Sequence, residues 1–188
     1  MSDQRELILD AALGLMSTQG VPGTSMRQLA AACGVQVAAI YHYFPSKDAL
    51  LRSVFEERRY SARLELSVPV DPDGTVRERL QRIFEVFWAG ALDEEPVLRL
   101  LLGEGVRNEP VARTTGESLL EVFQHGVRAL LDEHIPELDD PQLVAELVIA
   151  SVFSAFVHHL FVPDADVVEL GRHHGELVCG ALSARGAI

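Results

Sequence analysis

The chain has 188 residues, of which 48% are hydrophobic and 23% are charged, and this balance excludes a disordered or collagen-like chain. Its net charge of −12 argues against nucleic-acid affinity spread over the whole surface. Two isolated cysteines, Cys33 and Cys179, give no disulfide framework, and with no signal-peptide pattern we expect a cytoplasmic protein.

The charge is divided unevenly along the chain. Residues 1–63 hold seven basic and six acidic residues, whereas the remainder holds nine basic and twenty-two acidic residues. An acidic C-terminal part repels DNA, so the N-terminal part is the only plausible DNA-contacting surface. Because that part is only weakly basic, we expect its non-specific affinity to be modest and salt-sensitive.

Helical periodicity recurs along the chain, and no convincing strand pattern occurs. The first predicted helix stops near Gly20 and Pro22. Ser25 and Gln28 have the spacing of a capping box for a second helix. This helix ends at Gly34, a residue suited to the left-handed turn conformation.

A third short helix is predicted from about Gln36 to Phe44, and a fourth from about Lys47 to Leu66. The break at 68–74 is the predicted boundary between a head, residues 1–66, and a body, residues 67–188. Later helices are predicted at about 76–92, 96–104, 110–133, 141–162 and 164–184. The expected fold is all-α, with a helix-turn-helix head joined to a helical body.

The segment from Leu143 to Val162 is nearly all apolar and long enough to raise the question of a membrane span. It also contains Glu146, His158 and His159, each costly in lipid. A helix that is apolar on nearly every side is otherwise buried on nearly every side. We therefore expect a homodimer whose interface is formed by helices at about 141–162 and 164–184, and no membrane partner.

Two short helices joined by a glycine turn, with the first helix as a brace, form the helix-turn-helix arrangement. In the third helix, Ile40 and Phe44 are expected to be core residues. Tyr41 and Tyr43 lie two residues apart and cannot share one helical face. At least one tyrosine hydroxyl is therefore expected at the surface, and Tyr43 and His42 are candidates for DNA contact.

Lys47 is the only lysine in the chain and falls in the first turn of a predicted helix. The helix dipole disfavours a cation there by a few tenths of a kcal/mol, roughly. No partner within the fold is evident from the sequence. We therefore expect a DNA phosphate at this helix start, the alternative being a tolerated solvent-exposed lysine.

The strings GTSMRQLAAACGV (23–35) and IYHYFPSKDALL (40–51) resemble the N-terminal domain of the tetracycline-repressor (TetR) family. The resemblance extends over residues from about 5 to 60, roughly a third of the chain. It implies an all-helical homodimer in which this DNA-binding head is joined to a divergent ligand-binding body. The implied function is a repressor that is released from a palindromic operator by a small molecule.

The resemblance also implies roles for individual residues. Thr24, Ser25 and Arg27 would lie at the start of the second helix and contact DNA phosphate. Residues 36–43 would form the recognition helix. Tyr43 and Lys47 would hold the DNA backbone. The full set of expected DNA contacts is Thr24, Ser25, Arg27, Gln36, Val37, Ala39, Tyr41, His42, Tyr43 and Lys47.

Three positions of the recognition helix depart from the family pattern. Gln36, Val37 and Ala39 stand where a small capping hydroxyl, a basic residue and a threonine are common. Fewer hydrogen-bonding groups therefore reach the bases. Gln36 can pair with adenine, and Val37, Ala38 or Ala39 can contact thymine methyl groups.

Aromatic residues of the body are candidates for the walls of a ligand pocket, although aromatic stripes more often belong to a core. Phe84, Phe87 and Trp88 share one helical face, and further candidates are Phe123, Phe153 and Phe156. Such walls would suit a small, largely apolar or aromatic ligand.

Two histidine pairs, 158–159 and 173–174, leave a metal-responsive repressor as an alternative. Adjacent histidines diverge on a helix, and the usual metal signatures are absent, so we expect no metal or other cofactor. No nucleophile elbow, phosphate loop or dinucleotide fingerprint occurs, so we do not expect an enzyme. A protein-interaction module with a degenerate DNA-binding head is the other alternative.

Overall fold

The computed structural model describes residues 2–57 and 70–185, with the side chains of residues 2 and 3 excepted. Within these ranges it contains nine α-helices and no strand. The helices are α1 (Ser2–Gly23), α2 (Met26–Cys33), α3 (Val37–Tyr43), α4 (Lys47–Glu57), α5 (Val76–Asp93), α6 (Glu95–Val106), α7 (Pro110–His134), α8 (Pro141–Phe161) and α9 (Val167–Ala184). The predicted all-α fold is confirmed.

The predicted helices of the C-terminal part begin and end within three residues of the observed ones. The bounds agree because proline residues mark helix starts: Pro110 and Pro141 are the first residues of α7 and α8. The predicted extension of the fourth helix to Leu66 and the head–body boundary after it lie outside the described residues.

Helix α1 continues to Gly23 but is broken at Gly20, whose φ of 75° and ψ of 163° are not helical. This φ lies in the left-handed region, which glycine adopts without the steric cost of a Cβ. The predicted stop near Gly20 and Pro22 is therefore present as a sharp kink, and one further turn of chain follows before α2.

The capping box of α2 is confirmed. The Ser25 Oγ accepts a hydrogen bond from the Gln28 N–H at 3.2 Å, and the Gln28 Oε1 accepts from the Ser25 N–H at 2.7 Å. Gly34 ends the helix with φ 66°, and its N–H points to the carbonyls of Ala30 and Ala31. Side-chain capping and a left-handed glycine thus satisfy backbone groups at both ends of α2.

The first compact unit contains α1–α4 together with residues 94–119, which comprise α6 and the start of α7. Helix α1 packs against α2, α4 and, over its greatest length, α6. Its core includes Ile8, Leu9, Met16, Leu29, Ile40, Phe44, Leu50, Val54, Phe55 and Leu100. The functional division between residues 66 and 67 stays a prediction, but α6 packs with the N-terminal helices.

The second compact unit contains α5, the remainder of α7, α8 and α9. Helix α9 lies so close to α5 that a Cβ added at Gly171 would be 2.3 Å from Trp88 Cδ1. The Trp88 indole N–H donates to the Val167 carbonyl at 2.7 Å, which fixes the start of α9 against α5.

Helix α8 buries one side and exposes an apolar side. Its buried residues are Val144, Ala145, Val148, Ala155 and Phe156, whereas Phe153 and Phe161 are exposed. Among the described helices, α8 alone is long and apolar enough to cross a membrane, a criterion that core helices of soluble proteins also meet. Within the single chain α8 is therefore not buried on every side, and the expected dimer interface at this helix stays a prediction.

Candidate nucleic-acid interface

Helix α3 separates a core face from a solvent face. Ile40 and, at the C-terminal end, Phe44 are 0% and 1% exposed, which confirms the prediction that they belong to the core. Tyr41 is 49% exposed, and His42 is also exposed. One tyrosine hydroxyl of the pair is therefore at the surface, as the helical geometry requires.

The positions that depart from the family pattern do not all face solvent. Gln36 and Ala38 are exposed, whereas Val37 and Ala39 are half-buried, and Val37 packs against the core. Gln36 precedes α3 with no side-chain capping hydrogen bond, as expected of a poor cap. The Gln36 amide is therefore not used by the helix start.

Tyr43 is half-buried and lies against the N-terminal turns of α1. Its hydroxyl donates to Gln4 Oε1 at 3.3 Å, and its ring contacts His42 edge-on, with 5.2 Å between the ring centroids. The neighbouring Phe44 ring lies 5.2 Å from the Arg5 guanidinium, which also pairs with Glu57. These contacts fix the direction in which the end of α3 presents its side chains.

The start of α2 presents two of the predicted phosphate-contacting residues. Ser25 and Arg27 are both exposed. The Ser25 hydroxyl oxygen is occupied as the helix cap, and its remaining O–H donor can serve an external acceptor. An exposed guanidinium beside a helix N-terminus is suited to binding an anion.

The structure corrects the predicted phosphate contact of the Thr24 side chain. Thr24 is only 1% exposed, and its hydroxyl donates to the Gly20 carbonyl at 3.0 Å. The same oxygen lies 3.3 Å from Gln19 Nε2. Thr24 stabilises the kinked connection between α1 and α2, and its side chain does not reach the surface.

The expectation that Lys47 has no partner within the fold is wrong. Its Nζ donates to the Val21 carbonyl at 2.8 Å and to the Thr24 carbonyl at 3.1 Å. Both carbonyls belong to the kinked connection, which the sequence places more than twenty residues away. An ammonium group has three donors, so one remains available for a phosphate.

Glu104 of α6 is a residue that the sequence reasoning missed. Its side chain is buried, and its Oε1 accepts hydrogen bonds from the Val21 N–H at 3.1 Å and from Arg107 Nη1 at 2.7 Å. The 83 residues between Glu104 and Val21 leave no local pattern that could have predicted this contact.

The aromatic residues of the second unit that were predicted to line a pocket differ in their exposure to solvent. Phe84, Phe87, Trp88 and Phe156 are buried and Phe123 is half-buried. The rings of Trp88 and Phe156 both lie near His159, at centroid distances of 6.4 and 6.5 Å. Phe153, one turn before Phe156 on α8, is 53% exposed, which corrects its assignment to a pocket wall within this chain.

The histidine pairs do not converge on a common point. Among residues 2–57 and 70–185, no group of three histidine, cysteine or acidic side chains is placed to hold a metal ion. His174 of α9 instead faces α8, where its Nδ1 lies 3.2 Å from Ser151 Oγ. Burial lowers the pKa of the His174 imidazole, and repulsion from His173 and His158 lowers it further.

Comparisons of sequence agree with this geometry. The family model described as "Bacterial regulatory proteins, tetR family" matches residues 8–54. The regulator AcrR of Shigella flexneri is 37% identical over 92 residues, which cover 44% of this chain and 41% of that protein. The nicotine-responsive repressor HdnoR of Paenarthrobacter nicotinovorans is 30% identical over 95 residues, covering 50% and 48%. The chain thus spans less than half the length of either relative.

Comparisons of structure extend over nearly the whole chain. A TetR-family regulator from Mesorhizobium loti superposes with a TM-score of 0.76 at 21% identity, covering 97% of this chain and 96% of that one. FadR of Bacillus subtilis, solved with stearoyl-CoA, superposes with a TM-score of 0.71 at 20% identity, covering 92% and 96%. At these identities the likeness shows a shared fold.

Proposed function

We propose that this chain, which belongs to the TetR family of bacterial regulatory proteins, is a cytoplasmic homodimeric transcriptional repressor. It binds a palindromic operator through α3 and is released by a small, largely apolar molecule. The observation that carries the proposal is the solvent face of α3, which is held by a capped α2, a left-handed Gly34 and a buried Ile40.

Phosphate contacts are proposed for the residues that surround the start of α2 and the ends of α3. Ser25 and Arg27 are exposed there, and Lys47 retains one unused N–H donor. Tyr43 is directed by its hydrogen bond to Gln4. Contacts to phosphate position a protein on the duplex without reading its sequence, so these residues set affinity.

Base reading is proposed for the exposed residues Gln36, Ala38, Tyr41 and His42, with the half-buried Val37 and Ala39 contributing at the edges. None of the six carries the guanidinium or ammonium that reads guanine most often. Gln36 suits adenine, and the apolar side chains suit thymine methyl groups. We therefore propose an operator whose half-sites are centred on A·T pairs.

The dimer interface is proposed on the exposed apolar sides of α8 and α9. Phe153 and Phe161 lie on α8 and Leu177 lies on α9, and all three are at least half exposed in the single chain. Exposed apolar side chains grouped on neighbouring helices mark protein interfaces. Two-fold pairing supplies two copies of α3, which successive major grooves would require to lie about 34 Å apart.

The effector is proposed to be small and largely apolar because the second unit groups buried aromatic rings, among them Trp88 and Phe156. The names of two similar proteins support this class, since HdnoR is nicotine-responsive and FadR was solved with stearoyl-CoA. Such a molecule releases DNA only if it binds one spacing of the two α3 helices more tightly than the other.

Selection of duplexes from a random pool tests the proposal. The purified chain should enrich a palindrome with A·T-centred half-sites, retard it in a gel at nanomolar concentration, and repress a reporter that carries it. Failure to enrich any sequence, with no retardation at low ionic strength, would contradict the proposal and favour the protein-interaction module.

Lys47→Ala tests the phosphate contact separately. Loss of one phosphate contact should lower the dependence of log affinity on log salt concentration by about one unit for every duplex sequence. Arg185→Ala, which removes an exposed cation after α9, is the matched control and should leave the salt dependence unchanged. A wild-type salt slope in Lys47→Ala would show that Lys47 does not touch phosphate.

A further inference from the structure

The connection between α1 and α2, residues 20–24, is held by two helices at once. The N–H of Val21 donates to Glu104 of α6 at 3.1 Å, while its carbonyl accepts from Lys47 of α4 at 2.8 Å. The kink at Gly20 makes this possible, because its φ of 75° turns the Val21 N–H away from the α1 hydrogen-bond ladder. Both polar groups of one peptide residue are thereby tied to different helices.

Burial of the Glu104 carboxylate at this position costs free energy, because the group loses its hydration. It is 4% exposed and lies beside the buried Leu100 and Leu101 on α6, where an apolar side chain would pack without losing hydration. The Arg107 guanidinium offsets the charge at 2.7 Å. Arg107 also covers the kink, since a Cβ on Gly20 would lie 3.0 Å from its Nη1.

The Glu104 carboxylate is buried, whereas the Arg107 side chain is 53% exposed. A pair with one buried partner contributes little net stability but can specify one geometry. Here the geometry specified is the direction in which the chain leaves α1 and enters α2. Since α2 carries α3 through the Gly34 turn, that direction sets the orientation of the DNA-reading face relative to α1 and α6. All of these residues lie within the first compact unit.

We infer that Glu104 is a positioning residue that couples α6 to the DNA-reading surface through Val21 and Lys47. This inference rests on the proposed function. A displacement of α6 carries the carboxylate with it and releases the kink, which reorients α2 and α3. Because coupling between two sites is reciprocal, DNA bound at α3 should in turn favour the position of α6 that holds the kink.

Hydrogen exchange of the full-length protein tests the coupling, with the duplex selected by the wild-type protein as the probe. In the wild type, the duplex should slow amide exchange in α6 and in residues 20–24. Glu104→Leu should bind the same duplex about tenfold more weakly, because α2 and α3 are no longer held in one orientation. Its α6 amides should no longer respond to the duplex.

Two matched variants separate positioning from general destabilisation. Glu104→Gln keeps an oxygen that can accept the Val21 N–H and should bind within about twofold of the wild type. Glu109→Gln alters a carboxylate that accepts the N–H of Val111 two residues along the chain, and should behave as the wild type in every measurement.

The outcomes are distinguishable from a failure of the proposed function. If the wild type selects no duplex, the proposed function fails. If a duplex is selected but produces no change in α6 exchange in the wild type, the inference is overturned whether or not Glu104→Leu folds. Wild-type affinity in a folded Glu104→Leu variant also overturns it.

Discussion

Helices α3 and α8 divide their surfaces in opposite ways. On α3 the large apolar side chains Ile40 and Phe44 are buried, and small or polar side chains face solvent. On α8 the large apolar side chains extend beyond the buried face, so Phe156 is buried while Phe153 and Phe161 are exposed. The first surface suits a polar, charged partner, whereas the second is suited to a protein partner.

The distribution of charge reinforces the contrast. All of the net negative charge lies after residue 63, so the part that contains α8 is expected to repel DNA while the part that contains α3 is not. In the proposed function, a single α3 helix with few base-reading groups is expected to bind DNA weakly on its own. We therefore expect DNA affinity to depend on the proposed pairing of two copies through α8 and α9.

The largest effect is expected from Phe153→Asp. A charge on the exposed side of α8 should prevent dimer formation, and losing the second α3 helix should weaken operator binding by about 100-fold or more. Analytical ultracentrifugation should show a monomer that retains its helical circular dichroism. Val106→Asp, at an exposed valine of α6, is the control and should remain dimeric, and a dimeric Phe153→Asp would place the interface elsewhere.

Gly171→Ala should destabilise the second unit by about 1–3 kcal/mol, because the new methyl group overlaps the Trp88 indole. The free energy of unfolding from urea denaturation measures the effect. Gly116→Ala in α7 provides the contrast, since a Cβ there meets no atom within 4 Å and should stabilise the helix by about 0.5–1 kcal/mol. Equal effects of the two substitutions would contradict the close approach of α9 to α5.

Gly34→Ala tests the left-handed turn between α2 and α3. A Cβ at Gly34 meets no neighbouring atom, so only the left-handed backbone is strained, at a cost of about 1 kcal/mol. Gly14→Ala, also free of steric contact, should stabilise α1 instead, and the same urea experiment measures both. Stabilisation by Gly34→Ala would show that this turn is not left-handed in solution.

The smallest effect on stability is expected from a change of pH. The pKa of His174 is lowered by burial and by His173 and His158, so the unfolded chain takes up a proton that the folded chain resists. Stability should therefore fall as pH drops through the ordinary value of 6.5. His174→Gln should reduce this fall in stability between pH 7.5 and 5.5. An identical fall in the wild type and the variant would remove His174 as the cause.

Local sequence signals predicted the helices and the turn of the DNA-reading unit. Ser25, Gln28 and Gly34 form hydrogen bonds with backbone groups within four residues. Such local contacts can be predicted from a short stretch of sequence. The burial of Ile40 and Phe44 followed from helical periodicity in the same way. The resemblance to the TetR family added the expected roles of α2 and α3.

The long-range contacts could not be predicted. Lys47 and Glu104 meet at Val21 only because α1, α4 and α6 pack together, and no periodic pattern encodes a hydrogen bond between side chains and a distant kink. The burial of Thr24 has the same origin. On α8, apolar residues on every side left no periodicity to separate the buried Phe156 from the exposed Phe153.

Hydroxyl-radical footprinting of the selected duplex tests most directly whether two copies of α3 read neighbouring turns of DNA. We expect two protected regions on one face of the duplex, with centres about 34 Å apart, from a complex of two protomers. A single protected region from one bound protomer, or no protection at low ionic strength, would contradict this account.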